Sequence, residues 1–163
     1  MVVHSAGILL YRLTDAREPQ VWIVHMGGPF WVGKQTAAWS IPKGEYEYES
    51  GNDPFLAARR EFEEEIGVPA PEAQYADLGN FRQPSGKVVT VFAAETDFAV
   101  DRLVSNTFEL EWPKGCGVLR EFPEVDDARW VGLAEARVKL VSGQLAVLDV
   151  LTERLRAEGR LSG

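Results

Sequence analysis

The 163-residue chain predicts the α/β class and, within it, a sheet covered on both faces, an α/β/α sandwich. Three observations carry this reading. Apolar, strand-like runs recur along the chain, a single helix between them has a legible start and stop, and an amphipathic helix follows near the end.

Val2 to Leu13, VVHSAGILLYRL, reads as the first strand, and Asp15 to Pro19 as a polar turn. Gln20 to Met26 is a second strand that pairs with the first or lies beside it. His25 sits alone in this apolar strand. It is read as hydrogen-bonded structure, with phosphate contact the alternative. Gly27 to Ala38 is a glycine-containing loop carrying Phe30, Trp31 and Lys34. An aromatic beside a cation there can stack a base, at about 1–3 kcal/mol, or simply pack.

Asp53 can cap a helix by accepting a main-chain N–H, and Pro54 at the first helical position gives up no bond that was available. Gly67 can take the left-handed conformation that closes a helix, and Pro69 cannot continue one, so the helix runs from Pro54 to about Ile66. At 100° per residue Phe55, Ala58, Phe62 and Ile66 form a stripe for burial, with Glu61, Glu64 and Glu65 opposite. These carboxylates are three and four residues apart, so they are surface neighbours that repel by ~0.2–0.5 kcal/mol per pair. A cation removes that penalty. Mg²⁺ takes oxygen ligands, commonly one or two carboxylates together with substrate phosphates and water. Arg60, four residues before Glu64, can hold that carboxylate, and Lys43 upstream can meet phosphate.

Farther on, Ala76 to Phe81 and Lys87 to Phe98 read as strands joined by the turn Gln83-Pro84-Ser85-Gly86, with Arg82 and Lys87 flanking it. Asn106 to Pro123 reads as a long irregular connection. Ala128 to Val131 is a last strand, Leu133 to Val141 a short helix, and Gln144 to Arg156 an amphipathic helix carrying Leu145, Leu148, Leu151 and Leu155.

Composition bounds the rest. With 45% hydrophobic and 26% charged residues the chain reads as one soluble domain, residues 1–163, with a proper core. The apolar runs stay short of the roughly 18 residues a membrane helix needs. No basic segment followed by a cleavage site opens the sequence, so a cytoplasmic protein without a membrane partner is expected. Cys116 is the only cysteine, which excludes an intrachain disulfide, and with only His4 and His25 beside it no zinc site is expected. A net charge of −8 argues against nucleic acid as a partner and leaves a small anionic substrate possible.

From Gly44 through Arg60-Glu61-Phe62-Glu63-Glu64-Glu65-Ile66-Gly67-Val68, preceded by Trp39-Ser40-Ile41-Pro42-Lys43-Gly44, the chain resembles the Nudix hydrolase family. The second half of the Nudix box, Arg-Glu-apolar-any-Glu-Glu-any-Gly-apolar, is matched throughout. Two departures stand out. Seven residues, Glu45 to Gly51, separate Gly44 from Asn52 where the family has five, and Asn52 occupies the place of a glutamate that steadies the loop through the box arginine. Glu47 or Glu49 is expected to take over that contact with Arg60.

The resemblance implies a Nudix-type sandwich with a mixed sheet, and Mg²⁺-dependent (or Mn²⁺-dependent) hydrolysis of a phosphoanhydride in a nucleoside diphosphate derivative. It further implies a metal held by Glu61, Glu64 and Glu65 with the Gly44 carbonyl, and catalysis by Glu64 with Arg60. Glu124, six residues before Trp130, resembles the additional metal-binding glutamate or general base of several members, ahead of Glu109, Glu111 and Glu121. Lys43, Trp31, Lys34 and Arg82 are the expected substrate contacts. Trp-Ser-Ile-Pro-Lys-Gly resembles members acting on dinucleoside polyphosphates such as diadenosine polyphosphates. Nucleoside triphosphates, ADP-ribose, inositol pyrophosphates and a non-catalytic nucleotide-binding module are the alternatives. Monomer and homodimer are both compatible with the sequence.

Overall fold

The computed structural model describes residues 2–162. Strand β1 (His4–Leu13) is flanked by the antiparallel β2 (Pro19–Met26) on its C-terminal half and by β4 (Lys43–Tyr46) on its N-terminal half. The two strands β1 and β2 stop pairing at Leu10 and Trp22, and the short β3 (Trp39–Ser40) pairs with Val24 and His25 of β2. The Trp39–Gly44 segment therefore enters where β1 and β2 part, which opens a cavity beside it. On its other edge β1 runs parallel to β6 (Val88–Glu95), which pairs antiparallel with β5 (Ala76–Arg82). Counting β9 (Val125–Gly132) against β2, the sheet has seven strands and is mixed, as expected.

Side chains that alternate along the strands supply two cores. Leu9, Val21, Ile23, Val89 and Val91 face α2 (Leu133–Lys139) and α3 (Leu145–Ala157), and they pack with Ala136, Val147, Leu148, Leu151 and Leu155. Ile8, Leu10, Trp22, Val24 and Phe92 face the other way, onto Ala57, Ala58, Phe62 and Ile66 of α1 (Pro54–Ile66). The sheet is thus covered on both faces.

The sequence-derived ends of α1 match the structure, including its cap: Asp53 Oδ1 accepts from Phe55 N–H at 2.8 Å, and Gly67 has φ of 95°. Residues 106–123 differ from expectation. They form an antiparallel hairpin, β7 (Thr107–Glu111) and β8 (Leu119–Pro123), separate from the main sheet. The turn residues Pro113, Gly115 and Gly117 between the strands give the segment its irregular appearance in sequence, and Glu109 lies directly opposite Glu121. Among the described residues no helix is long and apolar enough to cross a membrane.

Candidate active site

The box helix lies against β4 and β1, and this packing decides where its carboxylates go. Gly44 is the point of closest approach: a Cβ there would lie 1.9 Å from Glu61 Oε2, so only a residue without a side chain admits that carboxylate. Glu65 is not on an outer face. It follows Ala58 by seven residues, two helical turns, and so lies along the edge of the buried stripe. Its Oε1 accepts from the Lys43 main-chain N–H at 3.2 Å.

Burial pushes the Glu65 carboxyl up to about 8, against the lowering effect of the Lys43 main-chain hydrogen bond and the Lys43 charge, with Glu124 and Glu61 adding repulsion. Burial also raises Glu61. Its hydrogen bond from Arg60 opposes that rise, while Glu64 and then Glu124 reinforce it. Glu61 is thus repelled by Glu64 and Glu124, and Glu65 by Glu124 and Glu61. A desolvated set of oxygen donors that repel is what a divalent cation stabilises, so these residues fit the metal the resemblance implies. Among the described residues no three acidic, histidine or cysteine side chains already converge as a ligand set, so ligation requires side-chain rotation.

This electrostatics has a consequence for stability. The folded carboxyl of Glu65 titrates above its unfolded value, so in metal-free protein its contribution is fully present below about pH 4.5 and is lost as pH rises through about 8. In chelator, Tm of the wild type is expected to fall across that window relative to Glu65→Gln. Added Mg²⁺ should recover more stability at pH 8 than at pH 5, since the ion takes the deprotonated form. Parallel pH–Tm curves for the two proteins would contradict the assignment.

A cavity of about 240 Å³ opens beside Glu65, lined by Lys43, Trp31, Glu124, Met26 and Phe108 among others. Two of the expected substrate contacts, Lys43 and Trp31, are therefore at the site. The Lys43 side chain leaves on the face of Gly7, where a Cβ would lie 2.9 Å from its own Cβ. Its ammonium is lowered by burial first and then by Lys87, against Glu65, Glu45 and Glu61. Lys34 does not line the cavity, but its Nζ is 5.9 Å from the Trp31 ring centroid.

Three expectations are corrected. Arg82 stays at the β5–β6 turn, its Nη1 donating to the Gly86 carbonyl at 3.3 Å, because β5 is the sheet edge away from β2. Arg60 holds Glu61 at 3.2 Å and not Glu64, its guanidinium turned onto the adjacent carboxylate. The longer loop leans on β1 and the β5–β6 turn, with Tyr48 stacked on His4 and Glu45 paired with Lys87, and does not reach Arg60. Tyr48–Ser50 form a single 3₁₀ turn, Ser50 Oγ donates to Glu47 Oε2 at 3.0 Å, and Asn52 Nδ2 donates to the Glu47 carbonyl at 3.0 Å. Neither Glu47 nor Glu49 replaces the family's glutamate.

His25 is structural, as read: it is buried, with Nδ1 2.7 Å from Asp126 Oδ1 and Nε2 2.7 Å from the Lys34 carbonyl oxygen. Cys116 is exposed in the hairpin turn. Glu111 accepts from Gly115 N–H and Glu121 from Thr107 Oγ1, so both are engaged within the hairpin. Sequence reasoning passed over Phe108. The available signal was the alternation of Phe108 and Leu110 with Thr107, Glu109 and Glu111, which is a strand pattern.

The family model described as NUDIX domain matches residues 3–151. Among solved structures, the Ap4A hydrolase of C. elegans in a binary complex superposes with a TM-score of 0.63 at 18% identity, over 96% of this chain and 99% of that one. The NUDIX domain of Shewanella oneidensis NrtR complexed with ADP ribose gives 0.62 at 18% identity, over 95% and 89%. The Nudix hydrolase RenU of M. smegmatis gives 0.58 at 20%, over 93% and 86%. At such identities these three structures speak to the fold. No curated protein matches the chain.

Proposed function

The chain belongs to the Nudix family, and from that premise we propose that residues 1–163 form one Mg²⁺-dependent pyrophosphohydrolase domain acting on a nucleoside diphosphate derivative. The observation that carries the reading is that Glu65 and Glu124 line one small cavity together with Lys43, while Glu61 beside them repels both Glu64 and Glu124. The preferred substrate is a dinucleoside polyphosphate such as a diadenosine polyphosphate, on the strength of the Trp39–Gly44 segment, followed by a nucleoside triphosphate. ADP-ribose, which the Shewanella domain binds in its complex, comes next.

Glu61, Glu64, Glu65 and Glu124, with the Gly44 carbonyl, would hold Mg²⁺ or Mn²⁺. A bound ion supplies positive charge against the phosphate oxygens and acidifies water. Glu64 is the proposed base, with Glu124 second. It takes a proton as a water oxygen bonds to phosphorus and the bridging P–O bond breaks, and the departing phosphate ends with the electron pair. Arg60 restrains Glu61, and Lys43 adds positive charge beside the phosphates. A cytoplasmic location belongs to the same reading.

Activity is expected to require added Mg²⁺ or Mn²⁺ and to vanish in EDTA, and full turnover in chelator would sink the metal assignment. A panel of diadenosine tetraphosphate, nucleoside triphosphates and ADP-ribose, followed by product analysis, identifies the bond cleaved. No turnover across the panel would favour a nucleotide-binding module.

A further inference from the structure

The Trp39–Gly44 segment brings Lys43 and the Gly44 carbonyl to the site, yet part of its own main chain has no strand beside it. Pairing with β2 ends at Ser40, and pairing of β4 with β1 begins at Lys43. Pro42 has no N–H to offer, and its carbonyl accepts from Ile8 N–H at 3.0 Å. Ile41 is left in the gap, buried, with an N–H and a carbonyl that need partners.

Those partners come through residues 138–144, the connection from α2 to α3, which supplies no group to the carboxylate cavity. This connection runs parallel to the segment as a substitute strand. Ala37 N–H donates to the Val138 carbonyl, Ala38 N–H to the Lys139 carbonyl, and Val141 N–H to the Trp39 carbonyl, each at 3.0 Å. The main chain then leaves in a 3₁₀ turn, Ser142–Gln144, and the Gln144 side chain continues the pairing. Its Oε1 accepts from Ile41 N–H at 2.9 Å, and its Nε2 donates to Ser40 Oγ at 2.9 Å. Ser40 Oγ in turn donates to the Ile41 carbonyl at 2.7 Å. A side-chain amide offers the same acceptor and donor as a peptide unit, and Gln144 has no exposed surface, so bulk water does not compete for these bonds.

We infer that Gln144 is a positioning residue for the hydrolase: its amide replaces a strand at Ile41 and so holds Lys43 and the Gly44 carbonyl in place against the box helix, where Lys43 N–H reaches Glu65 Oε1 at 3.2 Å. This rests on the hydrolase reading above. Ile8 anchors the segment on one side and Gln144 on the other. Only Pro42 lies between Ile41 and Lys43, and its ring fixes φ, so a shift at Ile41 is passed on to Lys43 instead of being absorbed. Ser40, whose hydroxyl Gln144 orients, itself lines the cavity. Misplacement of site atoms by about 1 Å can lower a rate by about 10²-fold, so a bond this remote from the carboxylates bears on turnover.

The test uses the full chain. Gln144→Met keeps the length of the side chain and removes both of its hydrogen bonds. Leu155→Ala, three helical turns farther along α3 in the same core, is the control for lost stability alone. Both should melt below wild type, Gln144→Met by roughly 2–12 °C as Ile41 N–H and Ser40 Oγ lose their partner. Only Gln144→Met should alter the site. Amide hydrogen exchange at Lys43, followed by NMR, is expected to quicken about tenfold relative to Leu155→Ala. Kd for Mn²⁺, measured by calorimetry without substrate, should rise about tenfold, and kcat with Mg²⁺ should fall about 10–100-fold. Leu155→Ala should keep Kd and kcat within about twofold of wild type well below its Tm. Unchanged exchange at Lys43, or Mn²⁺ affinity and kcat altered no more than in Leu155→Ala, overturns the inference. If Gln144→Met does not fold, Gln144→Asn, whose amide is one methylene short of Ile41, is measured against the same expectations. If the wild type hydrolyses no nucleotide and binds no Mn²⁺, the hydrolase reading fails separately, and exchange at Lys43 decides whether Gln144 places the segment.

Discussion

Glu64→Gln is expected to lower kcat by about 10²–10⁴-fold, the range typical of a lost general base, while leaving Tm unchanged or slightly higher. The stability side follows from position. Glu64 is only half-buried, and the guanidinium that could have paired with it is spent on Glu61, so the amide loses no ion pair with Arg60. It instead relieves repulsion with Glu61, three residues earlier, worth ~0.2–0.5 kcal/mol. The main-chain carbonyl of Glu64, which accepts from Asn106, is untouched by the change. Steady-state kinetics beside a thermal melt separate the two effects. A large melting loss with kcat intact would reverse the assigned role.

Phe62→Ala is expected to cost about 3–5 kcal/mol of stability and to lower Tm by roughly 6–20 °C. Phe62 has no exposed surface, and it packs beneath the sheet against Trp22, at 5.9 Å between centroids, and against Phe98, at 5.4 Å. Removing the ring leaves a void between α1 and the sheet, and the edge-to-face contact with Phe98 and the tilted contact with Trp22 are lost as well. Because α1 also carries the carboxylates, kcat measured well below the new Tm should drop far less than in Glu64→Gln. If Phe62→Ala melted like wild type, the inward face of the helix would be misassigned.

These two substitutions sit two residues apart and have opposite expected consequences, and both were readable from period and capping. The stripe through Ala58, Phe62 and Ile66, the Asp53 cap and the Gly67 stop are local properties of about a dozen residues, and the structure reproduces each. Strand positions were legible in the same way, because β1 and β2 are buried on both faces and therefore read as near-continuous apolar runs. Glu65 was misplaced because helical periodicity resolves a face only to the width of a side chain. It lies at the edge of the buried stripe, two turns after Ala58, and the contact with the Lys43 main chain there encloses it.

What the sequence determined by itself is therefore the chemistry on offer: the helix, its carboxylates, the glycine that admits one of them, and the family whose motif they match. Which partners those groups meet was decided by tertiary structure alone. Arg60 chose Glu61, the inserted loop closed on itself through Asn52 and Ser50, and Arg82 was carried to the far edge of the sheet. Phe108 reached the cavity through hydrogen bonds linking residues 27, 64, 106 and 124, which lie far apart along the chain. Propensity and spacing act over a few residues. Contacts of such separation depend on how the sheet splays and which backbone groups remain to be paired, and only the folded chain specifies those.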